Sequence, residues 1–277
     1  MIVKIRLLEP IHVGAKQVSG VDDIGADAVY ATIMPSTAIG VLASLAGVRG
    51  GDPFQLCRQL WGPLVEVDGR LYFQAASSLY PVEEAGRYIA AAKGEGEPPR
   101  ARYEVVELER PGVRLRDKVV QNLYYAKYLW VEGAREVAYL YYADCEGLKG
   151  GVEWVGGEGR VAVVEVQDDD KVAPKPCREG VLLSPLLFYA DWPYAEVGKS
   201  AGVEKSGLEN VEEVYGVLEG GRAKVKSTYV GLGYSLSLRR RRAIYQALPQ
   251  GTALRLREPA PSAGLHRERG YGSLLCP

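Results

Sequence analysis

The chain is poor in metal ligands. It contains 2 histidines among 277 residues, and its 4 cysteines, Cys57, Cys145, Cys177 and Cys276, lie far apart without a C-x-x-C pair. Structural zinc sites need clustered Cys and His ligands, so we expect no metal site. Few methionines and phenylalanines beside many Val, Glu, Arg and Tyr are typical of proteins from hot environments. A disulfide fits that setting, but its pairing cannot be read from the spacing.

Long apolar runs are also missing. No window approaches 18 uninterrupted apolar residues, so no transmembrane helix and no membrane partner are expected. The first residues, Met1 to Arg6, alternate apolar and basic side chains and lack the apolar centre of a signal peptide. These observations predict a cytoplasmic protein.

Net charge is nearly absent. The formal charge is −1 and the isoelectric point is near 6.2, which excludes a globally basic protein that coats nucleic acid. A site for a polyanion must therefore be a local patch.

The first half, residues 1–168, alternates strand and helix signals. Residues 2–8 predict a strand, Pro35 to Ala46 a helix ended by Gly47, and the Asp68-Gly69 pair a hairpin. A turn-rich tract covers 93–100, and β patterns fill 112–142. A weakly helical piece at 144–154 and a strand at 160–166 complete the half. The order β-α-β, ribbon, β-α-β predicts a ferredoxin-like sandwich with an inserted basic hairpin at about 100–130.

A polar tract at 169–180 predicts a linker, and residues 181–277 repeat the pattern more loosely. Strands are expected at 181–189 and 223–230, with a helix between them at 208–218, where Val211, Val214, Tyr215 and Leu218 share one face. Further strands are expected at 243–247, 252–256 and near 274. The fold class predicted is α+β: two ferredoxin-like (RRM-like) halves with glycine-rich loops.

A cluster of three glycines, Gly156, Gly157 and Gly159, stands directly before the strand at 160–166. Phosphate loops of nucleotide-binding folds place their glycines after a strand and before a helix, so the reversed order excludes them and their cofactors. Glycine also supplies positive φ without steric cost, and a tight turn is therefore the simplest interpretation.

Basic residues form two local groups. Arg114, Arg116 and Lys118 share one face of an extended ribbon because side chains alternate with period two. The run Arg239, Arg240, Arg241 and Arg242 predicts a loop or hairpin tip, with Tyr229, Tyr234 and Tyr245 nearby as rings for base stacking.

Four stretches together resemble the RAMP superfamily of CRISPR-associated proteins and, within it, the third-subunit family of the type III-B Cmr effector complex. They cover nearly the whole chain: Ile33–Leu42, Arg110 to Tyr124, the glycine stretch Gly156–Val166, and the tail with 247–252 and 270–274. Two departures from the family pattern are Asn122 before the Leu-Tyr pair and Ile11-His12-Val13-Gly14 after the first strand.

The resemblance implies a non-catalytic subunit that caps the 5′ tag of crRNA, the guide RNA. It also implies two protein partners, the large polymerase-like subunit and the first RAMP backbone subunit. The backbone of the glycine turn would approach RNA closely and Arg160 would fork onto a phosphate. The RNA-binding residues expected are His12, Arg114, Arg116, Lys118, Gly156, Gly157, Gly159, Arg160, Arg239, Arg240, Arg241 and Arg242.

Two other functions stay open at this point. The first is a CRISPR repeat endoribonuclease of the same superfamily, with His12 as general acid or base. The second is a structural adaptor that contacts only proteins.

Overall fold

The structure is a computed structural model that describes residues 1–14, 29–48, 56–116, 119–157, 159–168, 173–191, 207–235 and 240–277. It is mostly β-sheet, with few helices. The helices are α1 (Pro35–Leu45) and α2 (Ala85–Lys93), besides a 3-10 turn at Val82–Glu84. The strands are β1 (Ile2–Leu7), β2 (Cys57–Val67), β3 (Arg70–Ala75), β4 (Ser78–Pro81), β5 (Tyr103–Arg116), β6 (Val119–Val131), β7 (Val137–Cys145), β8 (Gly151–Trp154), β9 (Val161–Gln167), β10 (Cys177–Leu182), β11 (Leu186–Asp191), β12 (Val211–Glu219), β13 (Arg222–Lys224), β14 (Thr228–Gly231), β15 (Tyr234–Ser235), β16 (Arg240–Arg241), β17 (Ile244–Leu248), β18 (Ala253–Ala260) and β19 (Leu274–Leu275).

Nine strands of the first half form one antiparallel sheet in the order β6-β5-β4-β3-β2-β7-β1-β9-β8. Helix α1 connects β1 to β2 and begins with Pro35 in its first turn, where a missing N–H costs nothing. Its Ile39 and Leu42 pack with Val3 and Ile5 of β1 in the main core. The alternation along β1 thus buries one face under the helix, as the sequence predicts.

The central order β2-β7-β1-β9 matches the strand order of a ferredoxin-like sheet, but the described residues between β7 and β9 contain no counterpart of the second helix of that fold. The helical piece predicted at 144–154 is wrong, because Gly151–Trp154 pairs with β9 as strand β8. Val152 and Trp154, a β-branched and an aromatic residue, favour that extended pairing. The prediction of α+β class is therefore confirmed only as a mostly β fold with few helices.

Two predicted hairpins are present. Asp68 and Gly69 both have positive φ, 49° and 80°, and join β2 to β3 through the Val67 and Arg70 pair. Such a turn matches the twist of its strands. Strands β5 and β6 pair from Val105 and Val131 outward to Arg116 and Val119, which makes the inserted ribbon.

The second half forms a five-stranded sheet, β13-β12-β18-β10-β19, and a three-stranded sheet, β11-β17-β14. The helix predicted at 208–218 is wrong, since Val211–Glu219 is strand β12. Its pairing with β18 shifts register twice, and each bulge breaks the alternation of apolar residues that would identify a strand. Gly216 has φ of +112°, which an α-helix does not accept.

Helix α2, which the sequence patterns do not indicate, lies on the sheet of the second half. Tyr88 donates its hydroxyl proton to the carbonyl of Gly251 and accepts the N–H of Leu218, both at 2.9 Å. Burial raises the pKa of this phenol far above its usual range, so it stays protonated. Residues from both sides of the 169–180 tract share this core, and the predicted division into domains stays a prediction.

Neither helix in the described part of the chain is long and apolar enough to cross a membrane. All four cysteines form disulfides. Cys57 and Cys145 join neighbouring strands β2 and β7, and Cys177 ties β10 to Cys276 near the C-terminus, 99 residues later. A crosslink that closes so long a loop restricts the unfolded chain strongly.

We expect the double variant Cys177→Ser/Cys276→Ser to lose about 2–4 kcal/mol of unfolding free energy, because the unfolded chain regains the entropy of the closed loop. Denaturant titration of the oxidised proteins measures this loss. Non-reducing peptide mapping of the wild type should recover Cys177 linked to Cys276. Equal stability of variant and wild type would contradict a stabilising role for this disulfide.

Candidate nucleic-acid interface

The glycine turn before β9 packs against His12. The amide of Gly157 donates to the His12 carbonyl at 2.8 Å. Gly156 has φ of +71°, and a Cβ atom there would lie 2.1 Å from the same carbonyl oxygen. A Cβ at Gly157 would lie 2.8 Å from Cδ2 of the imidazole. These two glycines are therefore required by close packing within the chain, which is a backbone role.

Gly159 differs from its neighbours. Its φ is +66°, in the left-handed region, yet a Cβ atom there would meet no atom within 4 Å. The turn geometry favours glycine here, while the space beside it is open. Gly159 is exposed, as is Gly156, whereas Gly157 is half-buried.

His12 is 7% exposed and is held from two sides. Its Nδ1 lies 2.8 Å from the carbonyl oxygen of Lys127 in β6, and since a carbonyl only accepts, Nδ1 carries the proton. The neighbouring residue Ile11 exchanges backbone hydrogen bonds with Leu129 of β6, at 3.1 and 2.7 Å. The segment after β1 thus joins the glycine turn to the base of the ribbon.

Arg160 lies over the ring of Tyr128, with its guanidinium carbon 4.2 Å from the ring centroid. It also forms an ion pair with Glu9. The pKa of Arg160 is raised, chiefly by a hydrogen bond to the Tyr128 hydroxyl and then by one to Glu9, while burial opposes this rise. The side chain is 16% exposed, and its buried Nε has no hydrogen-bond partner among the described residues. Arg160 is thus a fixed, stacked cation whose Nε still has a proton to donate.

A second arginine approaches the same ring. The guanidinium of the exposed Arg110, in β5, lies 5.8 Å from the centroid of Tyr128. Tyr125, three residues before Tyr128 in β6, is also exposed. The nearby cation Lys127 is neutralised by Glu107 at 2.8 Å and by Glu109 at 3.8 Å. We call Arg110, Tyr128 and Arg160 the arginine–tyrosine layer.

For the part of the ribbon beyond Arg110, the structure describes the course of the backbone. Arg114 pairs with Asn122 and Arg116 with Val119 across β5 and β6. Arg114 and Arg116 are thus on the projecting part of the ribbon, as predicted, while Lys118 lies outside the described residues.

The arginine run belongs to another hairpin. Arg240 and Arg241 form β16 and pair with Ser235 and Tyr234 of β15, and the amide of Arg242 donates to the Gly233 carbonyl at 2.9 Å. This agrees with the predicted hairpin, and Arg239 lies outside the described residues. The β15–β16 hairpin continues the paired strands β14 and β17, so the arginine run extends from a hydrogen-bonded part of the sheet.

The structure thus brings together His12, Gly156, Gly157 and Arg160 from the predicted set. Sequence reasoning missed the residues that hold Arg160, namely Glu9 and Tyr128, and it left Arg110 out of the site. Glu9 stands beside Pro10 as an ordinary loop acid, and Tyr128 is one of 18 tyrosines, so neither carries a local signal. Among the described residues, no group of three or more His, Cys, Asp or Glu side chains is placed to hold a metal ion.

Comparison with known proteins finds chains of similar fold but no chain of similar sequence. No protein-family model and no curated protein sequence matches the chain. Solved structures do match, among them the cryo-EM structure of the type III-B Cmr-β complex bound to cognate target RNA and AMPPnP, in state 1, and that of the complex bound to cognate target RNA. The chain shares its fold with a protein of the Cmr-β complex.

The TM-score is 0.66 in both comparisons, and sequence identity is 18% and 19%. Each alignment covers 92% of this chain and 86% of the other. The predicted resemblance to a protein of the Cmr complex is thus confirmed at the level of the fold, over nearly the whole chain.

Gly156→Ala should lower the unfolding free energy by about 2–4 kcal/mol, because positive φ and the clash with the His12 carbonyl add. The matched control is Gly159→Ala, which has the same positive φ but open space and should cost about 1 kcal/mol. Chemical denaturation of both variants compares the two. Equal losses would mean that packing on His12 does not restrict the turn.

Proposed function

We propose that the chain is a non-catalytic RNA-binding subunit of a type III-B Cmr complex, where it caps the 5′ tag of crRNA. In this proposal it bridges the large polymerase-like subunit and the first RAMP backbone subunit. The observation that carries the proposal is the shared fold with a protein of the Cmr-β complex across 92% of the chain. We interpret the β2-β7-β1-β9 sheet with α1 as the core of one ferredoxin-like half, and the second half as a reduced copy that uses α2.

The arginine–tyrosine layer supports the RNA contact. Single-stranded RNA is bound by cations that follow its backbone and by rings on which bases stack. Arg110 is exposed beside Tyr128, and the ribbon that carries Arg114 and Arg116 begins directly beyond it. A strand of RNA that passes Gly159 would reach this layer first and the ribbon next.

Glu9 sets a condition on this contact. Its carboxylate occupies the face of Arg160 that a phosphate would use, so a phosphate must share or replace that ion pair. Arg160 stays oriented by Tyr128 throughout, because the stacking does not involve Glu9. The arginine–tyrosine layer is thus preorganised. Glu9 competes with any anion for Arg160, so an anion that cannot replace or share this ion pair binds more weakly.

Two variants should separate a loss of RNA binding from a loss of folding. We expect Arg110→Glu/Arg160→Gln to weaken crRNA binding in the reconstituted complex by about tenfold or more, with a lower salt slope, because phosphate contacts are lost. Filter binding at several salt concentrations measures both quantities. The control Arg87→Glu changes an exposed arginine on α2, far from this layer in sequence, and should bind like wild type.

If Arg110→Glu/Arg160→Gln kept the wild-type affinity and salt slope, RNA would not bind at this layer. The same assay on Arg240→Glu/Arg241→Glu tests the arginine run separately. If charge reversal at both places left crRNA binding intact, the chain would be an adaptor that contacts only proteins.

The burial of His12 supports a non-catalytic role. Its Nδ1 proton is committed to the Lys127 carbonyl, and the side chain is nearly enclosed by the glycine turn. A general acid or base must reach the proton that it transfers. The endoribonuclease alternative requires Nε2, the ring nitrogen that Lys127 does not hold, to reach RNA, and the packing on the glycine turn restricts that access.

We expect the purified protein to leave crRNA repeat RNA intact when metal is absent. Denaturing gel electrophoresis of end-labelled repeat RNA checks this. Site-specific cleavage that disappears in His12→Ala, with folding verified by circular dichroism, would overturn the non-catalytic assignment.

A further inference from the structure

A cleft of about 230 Å³ lies between the two halves of the chain. The first half contributes the segment 29–34 and Ala76, at the turn between β3 and β4, and the second half contributes β12, β14 and the turn 249–250. Its walls are mostly apolar and include Val29, Ala31, Met34, Pro185, Val217 and Val230. An engineered apolar cavity of about 150 Å³ holds benzene, so this inter-half cleft has room for two fused rings.

A buried glutamine without a partner lines the inter-half cleft. Gln250 is 8% exposed, and its amide has no hydrogen-bond partner in the described part of the chain. Buried amides nearly always have partners, because an unpaired amide loses the hydrogen bonds that it makes to water in the unfolded chain. The Gln250 amide is therefore a donor and an acceptor that a ligand in the cleft can satisfy.

Hydrogen bonds hold the walls of the inter-half cleft in place. The amide of Gly231 donates to the Tyr30 hydroxyl at 3.2 Å, which fixes the ring of Tyr30 at the wall. The amide of Tyr30 donates at 2.9 Å to the carbonyl of Val13, the residue after His12. Gln74 Nε2 donates to two carbonyls of the cleft residues, at 2.8 and 2.9 Å. The cleft is thus preformed, and one wall is attached to the segment that packs on the glycine turn.

Two lysines and one glutamate stand at the mouth of the inter-half cleft. Lys226 Nζ lies 2.5 Å from Oε1 of the half-buried Glu219, and Lys224 Nζ lies 3.5 Å from Oε2. Both lysines are exposed, whereas Met34 and Val230 deeper in the cleft are buried. The two ammonium groups and the single carboxylate leave one positive charge at the mouth. This charge suits a ligand whose rings enter the cleft while an anionic group stays outside.

The Gln250 amide selects the chemical class of the ligand. A purely apolar ring or side chain would leave the amide unpaired, so the ligand needs a donor beside an acceptor on an otherwise apolar, flat body. Nucleobases have this combination, and proteins that recognise single-stranded RNA hydrogen-bond to the edges of splayed bases. Glutamine pairs characteristically with adenine, whose N6 donor stands beside an acceptor on both edges, N7 and N1. A pyrimidine has a single ring and would fill less of the cleft.

We propose that the inter-half cleft binds one adenine base, whose edge pairs with the Gln250 amide while its ribose and phosphate stay at the lysine mouth. Two sources supply such a base, a nucleotide splayed from guide RNA and a free adenosine nucleotide. The guide RNA source rests on the proposed function, and it adds a base-specific contact outside the arginine–tyrosine layer.

The test measures binding of the full chain, alone and in the reconstituted complex, to a short adenine RNA, a uracil RNA of the same length and AMP. Wild type should prefer the adenine RNA by about tenfold or more. Gln250→Leu removes the amide at similar size and should abolish this preference without changing the affinity for uracil RNA. Thr228→Phe, which fills the cleft from β14, should do the same.

The matched control is Gln246→Leu, because Gln246 is a half-buried glutamine of β17 outside the cleft, and this variant should keep the preference for adenine. Thermal melting verifies the fold of each variant, and Gln250→Leu keeps the test valid if Thr228→Phe melts early.

An adenine preference that survives in Gln250→Leu would overturn the inference and leave the proposed function intact. If wild type bound both RNAs equally, AMP would decide: AMP binding that requires Gln250 assigns the adenine site to a free nucleotide, and its absence overturns the inference. Loss of affinity for a protein subunit in Gln250→Leu, with RNA and AMP binding unchanged, would assign the cleft to that protein and overturn the inference as well. If wild type bound neither RNA even in the complex, the proposed function itself would fail.

Discussion

The packing of the glycine turn on His12 holds the candidate site together. One carbonyl oxygen accepts the Gly157 amide and excludes any side chain at Gly156, while the imidazole of the same residue donates to the carbonyl of Lys127. Three segments distant in sequence meet at this residue: the end of β1, the ribbon and the turn before β9. Arg160 follows the turn by one residue from Gly159, so its place over Tyr128 depends on that packing. A local backbone requirement thereby positions the cation proposed to contact RNA.

The two halves of the chain depend on each other for a core. The sheet of the second half has no helix of its own among the described residues, and α2 from the first half covers it. Tyr88 satisfies both a buried carbonyl and a buried amide of that sheet, so removing the phenol would leave two polar groups unpaired. The Cys177–Cys276 disulfide closes the same half at its other end. In the proposed role, such interdependence would hold the RNA and protein contacts in one arrangement.

A nearly neutral chain can still serve a polyanion because its charges are arranged locally. Lys4 and Arg6 of β1 are paired with carboxylates, whereas Arg110 stands exposed at the ribbon base and Arg160, although paired with Glu9, is also stacked on Tyr128. The net charge of −1 therefore does not indicate the local charge near β1 or at the ribbon base. In a complex, neighbouring subunits would complete the positive path that this chain begins.

Local signals in the sequence determined the elements that need only near neighbours. The strand from Ile2, the helix that begins at Pro35, the Asp68-Gly69 turn and the tight turn at Gly156 each follow from periodicity or from the conformational freedom of one residue type. The family resemblance indicated a relation to the Cmr complex, and the comparisons confirm a fold shared with a protein of that complex, while the two ferredoxin-like halves stay a prediction.

Tertiary structure alone decided the rest. Residues 208–218 have apolar spacing that suits a helix, yet pairing with β18 through two bulges makes Val211–Glu219 a strand. The disulfide pairing, the stacking of Arg160 on Tyr128 and the place of α2 each join residues far apart in the chain. Such contacts depend on which surfaces meet after folding, and no local pattern of residues encodes that choice.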